Sequence, residues 1–520
     1  MGKNREYRNT LFNFLDGIAV LSTINTLLQK KIFQKISESN STNFQEICSG
    51  FKANPGYLNV AFRLCISQGW IIRTQYLDGE DYNISLTKNG MDLIQFEGLI
   101  SQFSEILLKM ENIENEILNP LKFETGDFVS NLNKIENGRL KNILLSSIIG
   151  PLFVAIGMKK LKILNSVNTK IDFQGLKINS NWQSLLLNFL QISNIIQTIE
   201  NPQLTKFGQF ILKRASAFGV TVSYLPLLNK TKELFFNNPN VAHERSNIGE
   251  ELHVDRTMNV WGSGGAHRVY FEKIDAIVKN IFNQTLDQQP KGIADMGCGN
   301  GEFLKHLYFV VKNETERGKH LDRFPLWIIG GDFNDAALKS SKVTLEDAEI
   351  DHFLVKGNIG DPKGFAEELA KVDIDLSECL NVRSFLDHNR LLEFPLSKNP
   401  DLKNIEVKGA FSYKGEWVSG IEVLSDFVNH IQKWKPFINK FGLILLELHT
   451  IDSIEAKNSL GQNAATAYDA THGYSDQYII DFDSFQNGIK FAGLNIHKVH
   501  SFQFPNQQNT AISISYILDN

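Results

Sequence analysis

Two groups of residues in this chain could do chemistry. In Lys291-Gly-Ile-Ala-Asp-Met-Gly-Cys-Gly-Asn-Gly301 an apolar run enters Asp295, and glycines follow at 297, 299 and 301. Glu302 to Leu307 then reads as the start of a helix. Bare backbone in such a turn lets a ligand approach closely, and the helix start favours a carboxylate or another anion. The second group is spread along three later segments. They are Asn381-Val-Arg-Ser-Phe-Leu-Asp-His-Asn-Arg390, Leu446-Glu-Leu-His-Thr450 and Thr471-His-Gly-Tyr-Ser-Asp-Gln-Tyr478. Asp387, His388, Glu447, His449, His472 and Gln477 could converge at one sheet edge. An imidazole there can take a proton as general base. Two imidazoles with an oxygen ligand and open positions would instead suit a divalent ion such as Fe(II) or Mn(II). A single His on a strand is more often a core or rim residue. His243, His306, His320, His352, His430, His497 and His500 are read that way.

Two ligand classes use a glycine turn of this kind, dinucleotides and S-adenosylmethionine. The dinucleotide fingerprint places its third glycine three positions after the second, where this chain has Glu302. The string Asp295-Met-Gly-Cys-Gly-Asn-Gly301 instead resembles the first motif of class I S-adenosylmethionine-dependent methyltransferases. In such folds the ligand lies beyond the carboxyl ends of the strands. The resemblance makes Asp295 the residue that holds the loop's geometry, with Gly297 and Gly299 at the methionine end. Trp327-Ile-Ile-Gly-Gly331 ends on Asp332 and Phe333, and Asp332 is the expected bidentate acceptor of the ribose hydroxyls. Lys356-Gly-Asn-Ile-Gly-Asp-Pro362 resembles the loop that edges the adenine, with Asn358 where relatives often carry Asp, and Ile359 beside it. Arg383 is counted among the cofactor-binding positions. Val260-Trp-Gly-Ser-Gly-Gly-Ala-His267 is read as a lid or an interdomain turn before a helix at 267–282, with Tyr270 near the methionine moiety.

These positions need an α/β frame. Strands are expected at 292–295, 326–331, 352–356, 379–384 and 441–448, with an antiparallel edge hairpin at 494–503 and 510–518. The fold class is therefore a Rossmann-like doubly wound methyltransferase sheet over residues 241–520, preceded by a mainly helical, winged-helix-containing region. Residues 1–97 read as the winged-helix-like domain. A helix spans Leu11–Leu28, Ser41-Thr42 caps a second, Asn54-Pro55 starts a third, and a hairpin turns at Asp78-Gly-Glu-Asp81. Residues 98–240 read as helical, with a second such module suggested by Leu-Thr-Lys-x-Gly at 86–90 and again at 204–208. Residues 98–180 could cover an acceptor channel, and 391–420, including Trp417, could be an insertion that shapes it.

At 520 residues, 42% hydrophobic and 21% charged, the chain has material for two or three domains. A net charge of -5 gives no global attraction to nucleic acid or anionic lipid. The 54–68 helix carries one basic residue, Arg63, and no cluster to neutralise phosphates, so a packing or dimerisation role is the better reading and a homodimer is compatible with it. The apolar stretch 141–157 is short and interrupted for a membrane span, and no signal layout opens the chain. Four separated cysteines form no metal knuckle or disulfide frame. A reduced, cytoplasmic protein is the expectation, with no membrane and no nucleic-acid partner.

His253-Val-Asp-Arg256, Asp295-Met-Gly-Cys-Gly299, Arg383-Ser-Phe-Leu-Asp-His-Asn-Arg390 and Ala470-Thr-His-Gly-Tyr-Ser-Asp-Gln477 together resemble the C-methyltransferase domains of apratoxin-type polyketide loading modules. That resemblance covers 240–520 well and the N-terminal half more loosely. It implies a metal-dependent enzyme that methylates the central carbon of malonyl units on a carrier protein, in polyketide-type metabolism. It favours His449 and Gln477 as metal ligands, with His472 or the Asp387/His388 pair in support. No phosphopantetheine site stands out in a chain that reads as complete at its start, so a carrier protein would be met in trans, or a free acid used. Plant-type O-methyltransferases carry Leu-His-Asp-Trp at the matching point, its His being the base. Here the pair is inverted to Asp387-His388. Three activities stay open: metal-assisted C-methylation through an enolate, metal-free O-methylation with His388 as base, and a winged-helix regulator that binds the cofactor without turnover.

Overall fold

The computed structural model describes residues 2–77, 81–121, 125–165, 169–247, 249–505 and 509–519. The expected hairpin turn at 78–80 and the middle of the loop at 506–508 lie outside them, as do the side chains of Gly265, Ala266 and His267. The chain divides into two compact units. One holds Met1–Ala266, Ala410–Ser419 and Asp452–Asp476; the other holds His267–Gly409, Gly420–Ile451 and Gln477–Asn520. Residues 98–240 thus share a unit with 1–97.

Two apolar helices, Gly2–Gln29 and Gly138–Gly157, organise the first unit. A Cβ on Gly17 would stand 2.2 Å from Ser146 Oγ and 2.9 Å from the Ile143 Cα, and one on Gly150 would stand 2.2 Å from Ile18 Cδ1. Missing side chains therefore let the two backbones approach. Both helices are long and apolar enough to cross a membrane, yet 83% of each apolar window is buried inside the protein. Their hydrophobicity is used by the core. The Gly138–Gly157 helix belongs to that core.

The winged-helix pattern is present. Helices Phe44–Phe51 and Pro55–Ser67 precede antiparallel strands Ile71–Leu77 and Asp81–Leu86, with Thr42–Asn43 as a third short strand. The cap of the first helix is Asn43, which accepts from the amides of Gln45 and Glu46, because Thr42 is occupied in pairing with Ile84. In the Pro55–Ser67 helix every residue from Gly56 to Ser67 is buried, and Arg63 is consumed by a 2.8 Å ion pair with Asp469. The hairpin Phe411–Tyr413 and Glu416–Val418 packs on the same helix: Gly56 N donates to Gly415 O at 2.8 Å, and Trp417 sits against the rings of Phe44 and Tyr82. Trp417 thus completes this module, where the sequence suggested a channel insertion.

The two Leu-Thr-Lys-x-Gly segments repeat at the level of atoms. Thr87 Oγ1 accepts from Gly90 N and donates to Gly69 O, while Thr205 Oγ1 accepts from Gly208 N and donates to Asn194 O. A Cβ on Gly90 would meet Trp70 O at 2.2 Å, and one on Gly208 would meet Ile195 O at the same distance. The glycine in each copy is required because a helix start lies against the preceding strand's carbonyl.

The expected lid is helical. One helix runs Arg256–Phe282, and Gly262 lies where its backbone meets Gly219. Trp261 covers Gly157. Gly262 of that motif serves helix packing, with no turn at 260–264.

The second unit is built on a seven-stranded sheet in the order Leu494–Phe504, Ile512–Asp519, Leu443–Leu448, Cys379–Ser384, Gly292–Met296, Trp327–Asp332, Phe353–Lys356. The last five are parallel, and the Ile512–Asp519 strand enters antiparallel beside Leu443–Leu448. Strand order reverses between Gly292–Met296 and Cys379–Ser384, which is where an open α/β sheet forms its ligand crevice. The strands agree with the expected spans to within two residues at their ends. The Gly292–Met296 and Leu443–Leu448 strands are buried throughout, as central parallel strands should be.

Replacing Arg63 by Leu should lower the unfolding free energy by about 3–5 kcal/mol, since the buried Asp469 would lose its Arg63 counter-charge. Denaturant unfolding of Arg63→Leu against Arg63→Lys measures it; an unchanged midpoint would show that the pair contributes nothing.

Candidate functional site

At the reversal point the turn after Gly292–Met296 carries Gly297, Gly299 and Gly301, all with positive φ (87°, 57° and 77°). A Cβ at Gly297 would also come 2.5 Å from Leu386 Cδ2, so position 297 is restricted both by conformation and by space. The amides of Gly297 and Cys298 donate to Gly331 O of the neighbouring strand, which pins the turn to the strand that ends on Asp332. Asp332 is itself oriented: Oδ2 accepts from Gly299 N at 3.1 Å, and Oδ1 accepts from Asn334 N at 2.8 Å. Phe333 beside it is 70% exposed. Asn358 uses its side-chain oxygen on Gly360 N, and the Ile359 carbonyl accepts from Trp434 Nε1 at 2.8 Å.

Beneath this loop lie polar groups that the protein leaves unsatisfied. Asp295 is 2% exposed and its Oδ1 has no partner; burial, and then the charge of Asp332, push its carboxyl up to about 8, with Arg383 opposing. Arg383 has Nε and Nη2 unpartnered, and Ser384 Oγ is unpartnered as well. Buried orphans are rare in folded proteins and cost roughly 1–3 kcal/mol each, so a cluster at a sheet's ligand crevice marks a place where a bound polar molecule completes the bonding. The glycine cradle, the oriented Asp332 and these orphans fit a nucleoside-bearing cofactor with an amino-acid end.

The reacting end is set by a turn after Cys379–Ser384. Phe385 adopts φ 54° there, and its amide donates to Leu446 O. Asp387 and His388 then face opposite partners. Asp387 Oδ1 lies 3.0 Å from both Arg383 Nη1 and His430 Nε2. Burial opposes its ionisation, yet Arg383 and His430 outweigh that and hold the carboxyl below its ordinary range. His388 Nδ1 lies 2.5 Å from Glu447 Oε1, and His388 N donates to Glu447 Oε2. With Nδ1–H committed to a carboxylate, Nε2 becomes the basic atom of the ring. Asp387, His388, Glu447, His449 and Tyr478 line one small cavity.

His449, fully buried, places Nδ1 3.3 Å from Ile480 O and Nε2 2.8 Å from Ser513 Oγ, and burial pushes its imidazole down to about 3. It is a neutral ring at any ordinary pH. His472 belongs to the first unit, on the helix Ala465–Gly473, with Nδ1 2.9 Å from Tyr468 O. Gln477 opens a segment of the second unit and is buried. Among the described residues no three His, Cys, Asp or Glu side chains are grouped to hold a metal ion. Tyr270 packs edge-on to Phe385 and Phe504, and burial raises its phenol to about 12.

Sequence reading missed His430. It lies four residues after Asp426 and four before Trp434 on the helix Gly420–Ile438, and all three reach the site. Three polar or amphipathic residues at a spacing of four on an otherwise apolar helix face were the available signal.

The chain matches the AprA MT2-like domain over residues 251–515, the AprA N-terminal domain over 7–73 and the AprA winged helix domain over 147–238. No curated protein matches it. Among solved structures it is similar to the mitomycin 7-O-methyltransferase MmcR (10% identity, TM-score 0.38, covering 83% of this chain and 98% of that one). An O-methyltransferase family protein from Burkholderia thailandensis is similar at 11% identity and TM-score 0.32, over 84% of this chain and 100% of that one. The DszA carbon methyltransferase is similar at 10% identity and TM-score 0.29, over 82% and 92%. The domain match, not these low-scoring likenesses, carries the assignment. With more than half its length in that match and the glycine turn, Asp332 and the sheet reversal assembled at one crevice, the chain belongs to the AprA MT2-like family of S-adenosylmethionine-dependent methyltransferases.

Proposed function

We propose that the chain methylates an acidic carbon of a malonyl-type or 1,3-dicarbonyl acid, free or on an acyl carrier protein, with His388 as the base. The observation that carries this reading is the 2.5 Å His388–Glu447 contact on a cavity at the sheet's carboxyl edge. S-adenosylmethionine supplies an activated methyl group on a sulfonium. The residues that would hold it are Gly297 and Gly299 by backbone, Asp332 at the ribose hydroxyls, Asn358 and Ile359 at the adenine edge, and Asp295 and Arg383 below the amino-acid end. His388 Nε2 removes the proton from the acceptor. Glu447 accepts the Nδ1 hydrogen bond and stabilises the imidazolium that forms. Negative charge developing on the acceptor lies at the same strand end as Arg383, whose unpartnered nitrogens favour it. The neutral His449 and the phenol-bearing Tyr478 line the cavity without adding charge. The same base would serve a hydroxyl acceptor, so the O-methylation reading differs in acceptor, not in machinery.

A second reading has a divalent ion, Fe(II) or Mn(II), at His449. Its support is the Nδ1 contact to the Ile480 carbonyl at 3.3 Å, which orients the ring; an ion at Nε2 would displace the 2.8 Å contact to Ser513 Oγ. The described side chains complete no three-ligand set around it.

Three outcomes are expected. Substituting His388 by Ala should reduce turnover on malonyl-loaded carrier protein by roughly 10²–10⁴-fold, with cofactor affinity by calorimetry unchanged; wild-type turnover would remove His388 as the base, and cofactor binding with no turnover on any carbon or oxygen acid in the unsubstituted protein would favour a regulator. Asp332→Ala should weaken S-adenosylmethionine binding about 10–100-fold while leaving the melting temperature nearly unchanged, because two charge-assisted hydrogen bonds are lost. Elemental analysis of freshly purified protein should show metal well below one ion per chain under the leading reading. Near-stoichiometric iron or manganese, with turnover lost on chelation, would establish the second.

A further inference from the structure

One face of the helix Gly420–Ile438 presents Asp426, His430 and Trp434 at successive four-residue steps, and each bonds to a different part of the site. Trp434 Nε1 donates to the Ile359 carbonyl in the adenine-edge loop at 2.8 Å, and its ring lies 4.4 Å from the Arg383 guanidinium. His430 Nε2 meets Asp387 Oδ1 at 3.0 Å. Asp426 Oδ2 accepts from Arg390 Nε at 2.7 Å and its Oδ1 from Glu393 N at 3.1 Å. Arg390 in turn donates to Asp387 O and Val423 O. The turn that carries His388 is therefore held from one side by this stripe and from the other by Glu447, with Tyr478 N donating to His388 O at 2.7 Å.

We infer that His430 is a positioning residue for methyl transfer: through Nε2 it fixes the Asp387 carboxylate, and so the orientation of the adjoining His388 imidazole. The argument rests on His388 being the base. His430 is 5% exposed and touches the turn, not the cavity, whose lining includes Asp387 and His388 but not His430. Its contact matters because Asp387 keeps Oδ2 buried and without a partner, so Oδ1 alone anchors the side chain, between Arg383 and His430. Removing the imidazole leaves one anchor, the Arg383 guanidinium. A carboxylate with one anchor can rotate, which loosens the Asp387 end of the turn while Glu447 and Tyr478 N still hold its His388 end.

Two polar variants separate position from bulk. The Gln side-chain amide nitrogen reaches where Nε2 stands; the Asn amide reaches only the Nδ1 position. In the full chain labelled with ¹⁵N-histidine, the His388 ring resonances, assigned by their loss in His388→Ala, should be unchanged in His430→Gln and shifted or broadened in His430→Asn. Turnover on malonyl-loaded carrier protein should fall about tenfold or more in His430→Asn, remain within about threefold in His430→Gln, and leave cofactor affinity unchanged in both. Identical His388 resonances in the Asn and Gln variants would overturn the positioning role, whatever the acceptor. Full turnover in His388→Ala would instead overturn the base assignment while leaving the resonance comparison to decide on His430.

Discussion

A charge buried at the centre of a sheet governs the second unit. Arg383, 1% exposed, points from a strand whose two neighbours are also buried, and its nearest counter-charge is Asp387, four residues on. Taking both ions out of water costs several kcal/mol each, and their attraction offsets that only where further hydrogen bonds complete the set. The sequence supplies those bonds from one helix. His430 serves Asp387, Trp434 offers a ring face to Arg383, and Asp426 secures the second arginine, Arg390. The ion pair is expensive, so its partners leave little freedom to the turn between Ser384 and Arg390. That turn carries His388.

The same constraint links the cofactor loops to the reacting end. Arg383 is on the strand next to Gly292–Met296, with Asp295 in register with Val382. Asp295, raised by burial and by Asp332, is steadied chiefly by Arg383. A cation bound near Asp295 would favour its ionised form. Leaving Asp295 Oδ1 and two Arg383 nitrogens without partners is a local cost of stability accepted where binding needs it.

Much of this was readable from residue types. The glycine turn, Asp332, the strand spans and the terminal hairpin follow from period and punctuation, because parallel central strands are short apolar runs ended by glycine or acid. The winged-helix outline followed from Pro55 at a helix start and alternating residues in the hairpin. What was not readable depended on distant partners. Val260 to His267 looked like a lid because glycines and polar residues break helical expectation, yet Gly262 is there to let a helix backbone reach Gly219. Trp417 looked like part of an insertion since nothing local reveals Phe44 and Tyr82 beneath it. His430 looked like an ordinary core histidine because its importance comes from Asp387, forty-three residues earlier.

The inversion of the usual His-Asp order to Asp387-His388 has a geometric consequence. In the short helical turn Asp387–Asn389 the two neighbouring side chains go to different partners, one to the strand's own Arg383 and the other to the next strand. With Asp first, the carboxylate goes to Arg383 and the imidazole to Glu447 on the Leu443–Leu448 strand. With His first, Arg383 would lose its carboxylate counter-charge to a neutral ring, and Asp would meet Glu447 as a like charge. The order in this chain therefore depends on where Arg383 and Glu447 stand. It separates two carboxylate–imidazole pairs that share one turn: Asp387 with His430, which holds the frame, and Glu447 with His388, which faces the cavity. An Arg at strand position 383 and an acid at 447 are thus the residues that give each member of the inverted pair its partner.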